Sequence, residues 1–97
     1  MAFDDAVFWH LISGTRGGPN RLQILLELSK RPYNANQISD LLSLDYKTTK
    51  RHLELLVEAS LLTVSKEQKY GELYFLTDYA KSKIVDFQKS LDRISKW

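Results

Sequence analysis

The sequence predicts a mainly α-helical fold with one small β-hairpin, in the order α-α-α-α-β-β-α. Apolar residues recur at helical spacing in five segments, and glycine, proline and capping residues separate these segments from one another. Two short β-prone runs, residues 62–65 and 73–76, stand between the fourth and fifth segments. The polar, glycine-containing stretch between these runs predicts that they pair as an antiparallel hairpin.

Length and composition predict a single domain that spans residues 1–97. Of the 97 residues, 43% are hydrophobic and 27% are charged, which is the balance of a globular protein. The chain has no cysteine, which excludes a disulfide framework, thiolate metal sites and cysteine catalysis. The net charge of +2 is too small to indicate a nucleic-acid partner by itself, so the distribution of charge has to be considered.

The apolar segments predict neither a membrane span nor a secretion signal. The longest apolar run, residues 6–12, contains His10 and is much shorter than a membrane-spanning helix. Asp4 and Asp5 precede this run, where a signal peptide would carry positive charge. We therefore expect a cytoplasmic protein that does not bind a membrane.

The first two helices are predicted on either side of a glycine-rich break. The first occupies the start of the chain to about residue 12, and residues 13–18, with three glycines, interrupt its pattern. The second helix is predicted from Asn20 to about Lys30, and Pro32 ends it.

The third and fourth helices are predicted from their capping residues. Asn34 is expected to cap the third helix, with Gln37 at the third helical position completing a capping box. Residues 43–45 are interpreted as a tight turn in which Asp45 caps the next helix. The fourth helix is then expected over residues 46–60.

A short helix, a three-residue turn and a longer helix with a basic amino-terminal face follow one another in residues 34–60. This order is that of a helix-turn-helix, in which the second helix enters the major groove of DNA. With the hairpin at residues 62–76 as a wing, the arrangement predicts a winged helix-turn-helix. Lysine and arginine on the second helix would contact guanine edges or phosphates. The alternative is that these basic residues only solubilise the helix.

The residues expected to contact DNA lie on four elements. The wing would reach phosphate or the minor groove, with Glu67 and Glu72 opposing its attraction to DNA. Tyr46 has packing against the third helix as an equal alternative. The expected contacts are Tyr46, Lys47, Thr48, Lys50 and Arg51 from the fourth helix, Lys66 and Lys69 from the hairpin, Arg21 from the second helix, and Asn36 and Gln37 from the third.

The first and last helices predict a homodimer. The apolar arc of the first helix is wider than one small core requires, and the last helix, expected over 78–97, carries a narrow apolar seam at heptad spacing. The alternative for the last helix is packing on its own domain. The residues expected at the interface, within 1–13 and 78–97, are Phe8, Trp9, Ile12, Ile84, Phe87, Leu91 and Ile94.

Several stretches resemble one family. Residues 34–38, 44–53 and 58–62 look like the archaeal branch of the ArsR-like winged-helix transcription regulators, and residues 14–21 are similar to the lead-in of those proteins. The resemblance covers roughly residues 9–76. It implies a dimer built from the first and last helices that recognises a partly palindromic DNA site.

The sequence departs from this family at two points. Many members sense metals through cysteine-rich sites, and the absence of cysteine removes thiolate metal sensing here. Ser60 stands where the family usually has glycine after the recognition helix, which puts the local cap geometry in question.

Catalytic and metal-binding patterns are absent from the sequence. His10 and His52 lie on different predicted helices, and His52 is interpreted as a packed or helix-surface residue. The glycines of residues 14–18 lack the context of a phosphate-binding loop. We therefore expect no enzyme, metal or cofactor, and the sequence indicates no effector.

The predicted function is that of a sequence-specific regulator that binds double-stranded DNA, and the alternative is a protein-interaction module of the transcription machinery.

Overall fold

Five helices and one hairpin make up the residues that the computed structural model describes, 5–67 and 71–95. The predicted order of elements is confirmed. In chain order they are α1 (Asp5–Ser13), α2 (Gly18–Leu28), α3 (Ala35–Leu42), α4 (Tyr46–Glu58), β1 (Leu62–Glu67), β2 (Gly71–Leu76) and α5 (Asp78–Ser95).

Helices α3, α4 and α5 begin where capping side chains accept hydrogen bonds from their first N–H groups. The Asn34 side chain accepts a hydrogen bond from the backbone N–H of Gln37 at 2.8 Å, and Gln37 Oε1 accepts one from the backbone N–H of Asn34 at 2.9 Å. The predicted capping box is therefore confirmed. Asp45 caps α4 by accepting from the N–H of Thr48 at 3.0 Å, and Thr77 caps α5.

Three helix ends differ from the predicted ones, and one of them is the end of α2, at Leu28 instead of about Lys30. Helix α2 begins two residues before Asn20, because Pro19 fits the first turn and extends the helix back to Gly18. Helix α4 ends at Glu58, and the chain leaves it through Ser60, whose φ of 62° is left-handed. Ser60 thus adopts the geometry of the glycine usual in the resembled family, at a cost of roughly 1–2 kcal/mol for a residue with a Cβ.

The core lies between α2, α3, α4 and the base of the hairpin. Its most deeply buried side chains include Ile24, Leu25, Ile38, Leu53, Leu56 and Leu61. The strands pair antiparallel from Leu62 opposite Leu76 to Glu67 opposite Gly71, and Tyr33 adds one bridge to Tyr74 on the outer side of β2. The hairpin is thereby fixed to the segment that leads into α3.

The outer helices close the core from the other side. Phe8 and Ile12 of α1 and Ile84 of α5 are buried within the chain's own core, so little of these three side chains is left for a partner subunit. Trp9 and Phe87 lie with ring centroids 6.1 Å apart, and Trp9 is exposed. The apolar surface that is left for a partner subunit is thus smaller than the sequence indicates. On α1 it lies at Trp9 and not at Phe8 or Ile12.

Leu91 and Ile94, the remaining residues expected at the interface, lie in α5. Their side chains are outside the described part of the structure. Among the described helices, none combines the length and the apolar composition that crossing a membrane requires.

Candidate nucleic-acid interface

A tight turn sets α4 across α3. Ser43 has a left-handed backbone with φ 55°, and the N–H of Leu44 donates to the carbonyl of Ser39 at 3.0 Å, which closes α3. Beyond the turn, Thr49 and Leu53 of α4 are fully buried against the core. The face of α4 opposite to Thr49 and Leu53 is therefore exposed to solvent.

The solvent face of α4 begins with aromatic and basic side chains. Tyr46, Lys47 and Arg51 are exposed, and Tyr46 keeps 51% of its surface accessible. Lys47 and Arg51 are four residues apart and therefore lie on the same side of the helix. Together with Thr48, Lys50 and Glu54 they line an open hollow of about 440 Å³. The structure thus brings the predicted recognition-helix residues together.

The amino end of α4 is occupied by its own cap. Besides accepting from the backbone N–H of Thr48, Asp45 accepts from the Thr48 hydroxyl at 2.6 Å. These hydrogen bonds lower the pKa of Asp45, so its carboxylate stays charged. A phosphate at this helix end would meet a negative charge and an N–H already in use. Contacts between α4 and DNA are therefore expected from its side chains.

Lys50 is half-buried and directed at the wing. Its Nζ donates to the hydroxyl of Tyr74 at 3.1 Å and lies 5.8 Å from the centroid of the same ring. The hydrogen bond to Tyr74 raises the pKa of Lys50, burial opposes this, and Glu72 adds to the rise. Lys50 therefore joins α4 to β2 as a cation and is less free to meet DNA than Lys47 or Arg51.

A second hollow, of about 260 Å³, lies between the start of α3, the start of α4 and the wing. Asn36, Tyr46, Lys50 and Tyr74 are among its lining residues. Asn36 is exposed in the first turn of α3. Asn36 thus lies at the same hollow as Tyr46 and Lys50 of the recognition helix.

Two of the predicted contacts are engaged elsewhere. The Gln37 side chain closes the capping box of α3. Arg21 is 5% exposed, and its Nε donates to the carbonyl of Leu11 at 2.8 Å. This arginine, expected at a phosphate, instead lies inside the domain, because its carbon stem follows the buried face of α2 and its guanidinium finds partners there.

The wing presents Lys66 to solvent in a partly neutralised setting. Lys66 is exposed on β1, and its partner across the hairpin is Glu72. Lys69, the other basic residue expected on the wing, lies outside the described residues.

Comparison with known proteins agrees with this geometry. Residues 18–64 match the model of the family described as bacterial regulatory protein, arsR family. The chain thus has a winged helix-turn-helix fold whose residues 18–64 are similar to the arsR family. HlyU from Vibrio cholerae N16961 has this fold, with a TM-score of 0.75 at 23% identity over 88% of each chain. No curated protein sequence matches.

Two further solved winged-helix proteins are similar. The transcriptional regulator homologue from Pyrococcus horikoshii OT3 has a TM-score of 0.72 at 21% identity, over 94% of this chain and 95% of that one. A MarR family transcriptional regulator from Silicibacter pomeroyi DSS has a TM-score of 0.74 at 18% identity, over 93% and 62% of the two chains. These likenesses show the winged-helix fold predicted from the sequence.

Within the described part of the winged helix, no group of three or more His, Cys, Asp or Glu side chains is arranged to hold a metal ion. Four polar residues are nevertheless buried: Arg21, Ser39, Thr49 and His52. Arg21 and His52 are in contact through their side chains, which sequence reasoning missed.

Sequence patterns carry a signal for one of the missed residues. Arg21 lies three, four and seven residues before Ile24, Leu25 and Leu28, which are all buried. An arginine that lies on the same face of a helix as the buried apolar residues is a candidate for a buried side chain that is held by hydrogen bonds. For Tyr74, whose partner Lys50 is 24 positions away in the chain, no local pattern exists.

Proposed function

We propose that this winged helix is a sequence-specific regulator that binds double-stranded DNA as a homodimer in the cytoplasm. Helix α4 enters the major groove, and the wing follows the backbone or the adjacent minor groove. The observation that carries the proposal is the solvent face of α4, where Lys47 and Arg51 stand one turn apart beside Tyr46. The archaeal affiliation implied by the resemblance belongs to the same proposal.

The expected DNA contacts can be ranked by how exposed their side chains are. Lys47 and Arg51 are exposed and reach base edges or phosphates directly, because long cationic side chains pair with guanine O6 and N7 or with phosphate oxygens. Tyr46 and Asn36 border the hollow between α4 and the wing, where they meet the DNA backbone. Lys50 contributes positive charge while it holds the wing, through Tyr74, at a fixed distance from the recognition helix.

Selection of bound fragments from a randomised duplex library tests the proposal. We expect enrichment of a site with two related half-sites, because a symmetric dimer reads a palindrome. A winged helix that serves only as a protein-interaction module would enrich no sequence, and that result would contradict the proposal.

The proposed dimer interface combines α1 and α5. Val7, Trp9 and Val85 are exposed apolar side chains on these helices, and Trp9 lies against the half-buried Phe87. Burial of apolar surface contributes about 25 cal/mol per Å², so covering such side chains by a second copy stabilises a dimer. Phe8, Ile12 and Ile84 support the interface from beneath.

We expect Trp9→Glu to shift the protein from dimer to monomer, because a charge at the interface would be desolvated without a partner. Light scattering at tens of micromolar protein measures the mass. Leu41→Glu is the matched control, since Leu41 is an exposed apolar residue of α3. A monomer mass for the wild type, or equal masses for all three proteins, would refute the interface.

A further inference from the structure

One buried arginine connects three separate segments of the domain. The Nε of Arg21 donates to the carbonyl of Leu11 in α1 at 2.8 Å, and its Nη2 donates to the hydroxyl of Thr15 in the α1–α2 loop. Its Nη1 lies 3.2 Å from Nδ1 of His52 in α4. A single side chain therefore holds the recognition helix against the end of the first helix.

The contact with Arg21 sets the protonation state of His52. A guanidinium can only donate hydrogen bonds, so Nδ1 of His52 has to be the acceptor and must carry no proton. The neutral imidazole then carries its proton on Nε2. Protonation of Nδ1 would remove the acceptor and place two cations in contact.

The surroundings of His52 offer its charged form no compensation. Burial lowers the pKa of His52, and the positive charges of Arg21 from α2 and Arg51 from its own helix lower it further. Among the side chains that the structure describes, no carboxylate forms an ion pair with Arg21 or His52. The loop that packs on both contributes the uncharged Thr15 and Gly17 at this point.

The junction is also closely packed. A Cβ on Gly17 would lie 2.7 Å from Nη1 of Arg21 and 2.8 Å from Cε1 of His52. Gly17 therefore lies directly against both the guanidinium and the imidazole. Repulsion between these two groups would press on the α1–α2 loop and on α4.

We propose that Arg21 and His52 are positioning residues that fix the recognition helix against α1, and that protonation of His52 opens this junction. The consequence for binding rests on the proposed function: acidification displaces α4 from the geometry that fits DNA and lowers the affinity. Neither side chain needs to touch DNA for this effect.

The sign of the pH dependence distinguishes this role from a direct contact. Because the pKa of His52 is lower in the folded protein than its ordinary value of 6.5, the unfolded or opened chain binds the proton more readily. The junction is intact above pH 6.5 and is lost as the pH falls from there through the lower, folded pKa. A histidine that contacted phosphate would gain a positive charge in acid and would raise the affinity.

The free protein gives the first test, by NMR titration from pH 8 to pH 5 of the wild type, His52→Asn and His10→Gln. Asparagine keeps an acceptor oxygen for Arg21 and does not titrate, and His10 is the exposed histidine of α1 that serves as the matched control. We expect backbone amides of α4 and of residues 13–17 to shift together with the His52 imidazole in the wild type and in His10→Gln. Amides of α4 that do not follow the titration of His52 in the wild type and in His10→Gln would overturn the proposal.

The second test measures fluorescence anisotropy of a labelled duplex, selected at pH 7.5 from the randomised library, at constant ionic strength. The wild type and His10→Gln should lose affinity measurably between pH 7.5 and pH 5.5, by at most about tenfold, because one proton with an open-state pKa of 6.5 shifts the opening equilibrium by no more than that. The affinity of His52→Asn should stay constant. An affinity that rises in acid, or an undiminished pH dependence in His52→Asn, would overturn the proposal. If no duplex binds at pH 7.5, the proposed function fails, and the amide titration still decides whether the junction opens.

Discussion

Replacement of both Lys47 and Arg51 by alanine is expected to reduce affinity for the selected duplex by about a hundredfold or more. A well-placed contact from lysine or arginine to a base or phosphate contributes about 1–3 kcal/mol, and 1.4 kcal/mol corresponds to a factor of ten. Both side chains are exposed on the solvent face of α4. Their loss should change the free energy of unfolding by no more than about 0.5 kcal/mol.

The control for this prediction is the variant with Lys30→Ala and Lys81→Ala, which removes the same charge from α2–α3 and α5. Each of these lysines pairs with a carboxylate three residues earlier, and the lysine side chains are 67% and 64% exposed, so we expect their loss to cost little stability. Anisotropy titrations at one salt concentration compare the three proteins. Equal losses in both variants would indicate nonspecific attraction to DNA and would remove Lys47 and Arg51 from the proposed interface.

Gly18→Ala is expected to destabilise the domain by about 3 kcal/mol or more, near the upper limit for overpacking. Gly18 is buried at the first position of α2. A Cβ there would overlap the carbonyl oxygen of Ile12 and lie 2.6 Å from the carbonyl carbon. Because the obstacle is backbone, it cannot be relieved by rotation of a side chain, and α1 would have to move away from α2.

Urea unfolding followed by circular dichroism measures this effect as a lower midpoint. Asn20→Ala is the control, because Asn20 is exposed two residues further along the same helix. Asn20→Ala should unfold within about 0.5 kcal/mol of the wild type. Coincident unfolding curves for Gly18→Ala and the wild type would show that the close approach of α1 and α2 is not required.

The features that the sequence predicts correctly are decided by neighbours within three or four residues. The capping box of Asn34 and Gln37 and the cap at Asp45 are of this kind, because each side chain bonds to backbone in its own first turn. These caps determine the start of α3 and α4. The helix-turn-helix could therefore be recognised from the chain alone.

The roles of Arg21 and Lys50 could not be predicted from local patterns. A basic residue near a helix start is compatible with contact to DNA, and only the fold shows that Arg21 reaches Leu11 and His52. Lys50 likewise has a partner, Tyr74, on a distant strand. Both contacts depend on tertiary packing, so the sequence indicates the charges and not their partners.

The outer helices, α1 and α5, show a second limit to what hydrophobic periodicity in the sequence can predict. An apolar stripe predicts burial, but the pattern does not say whether the chain's own core or a partner subunit covers it. Phe8 and Ile12 are buried within the chain, whereas Trp9 is exposed. The sequence predicted the surplus of apolar surface, and the structure was needed to assign it to particular side chains.

The central claim is that α4 binds double-stranded DNA through Lys47 and Arg51. The dependence of DNA affinity on salt concentration is its most direct test. Each phosphate neutralised contributes about −0.9 to the slope of log affinity against log salt concentration. With the selected duplex, we expect the wild type to give a slope of about −2 or steeper, and the variant that lacks Lys47 and Arg51 to give a shallower one. A wild-type affinity that does not change with salt, or equal slopes for the two proteins, would contradict the claim.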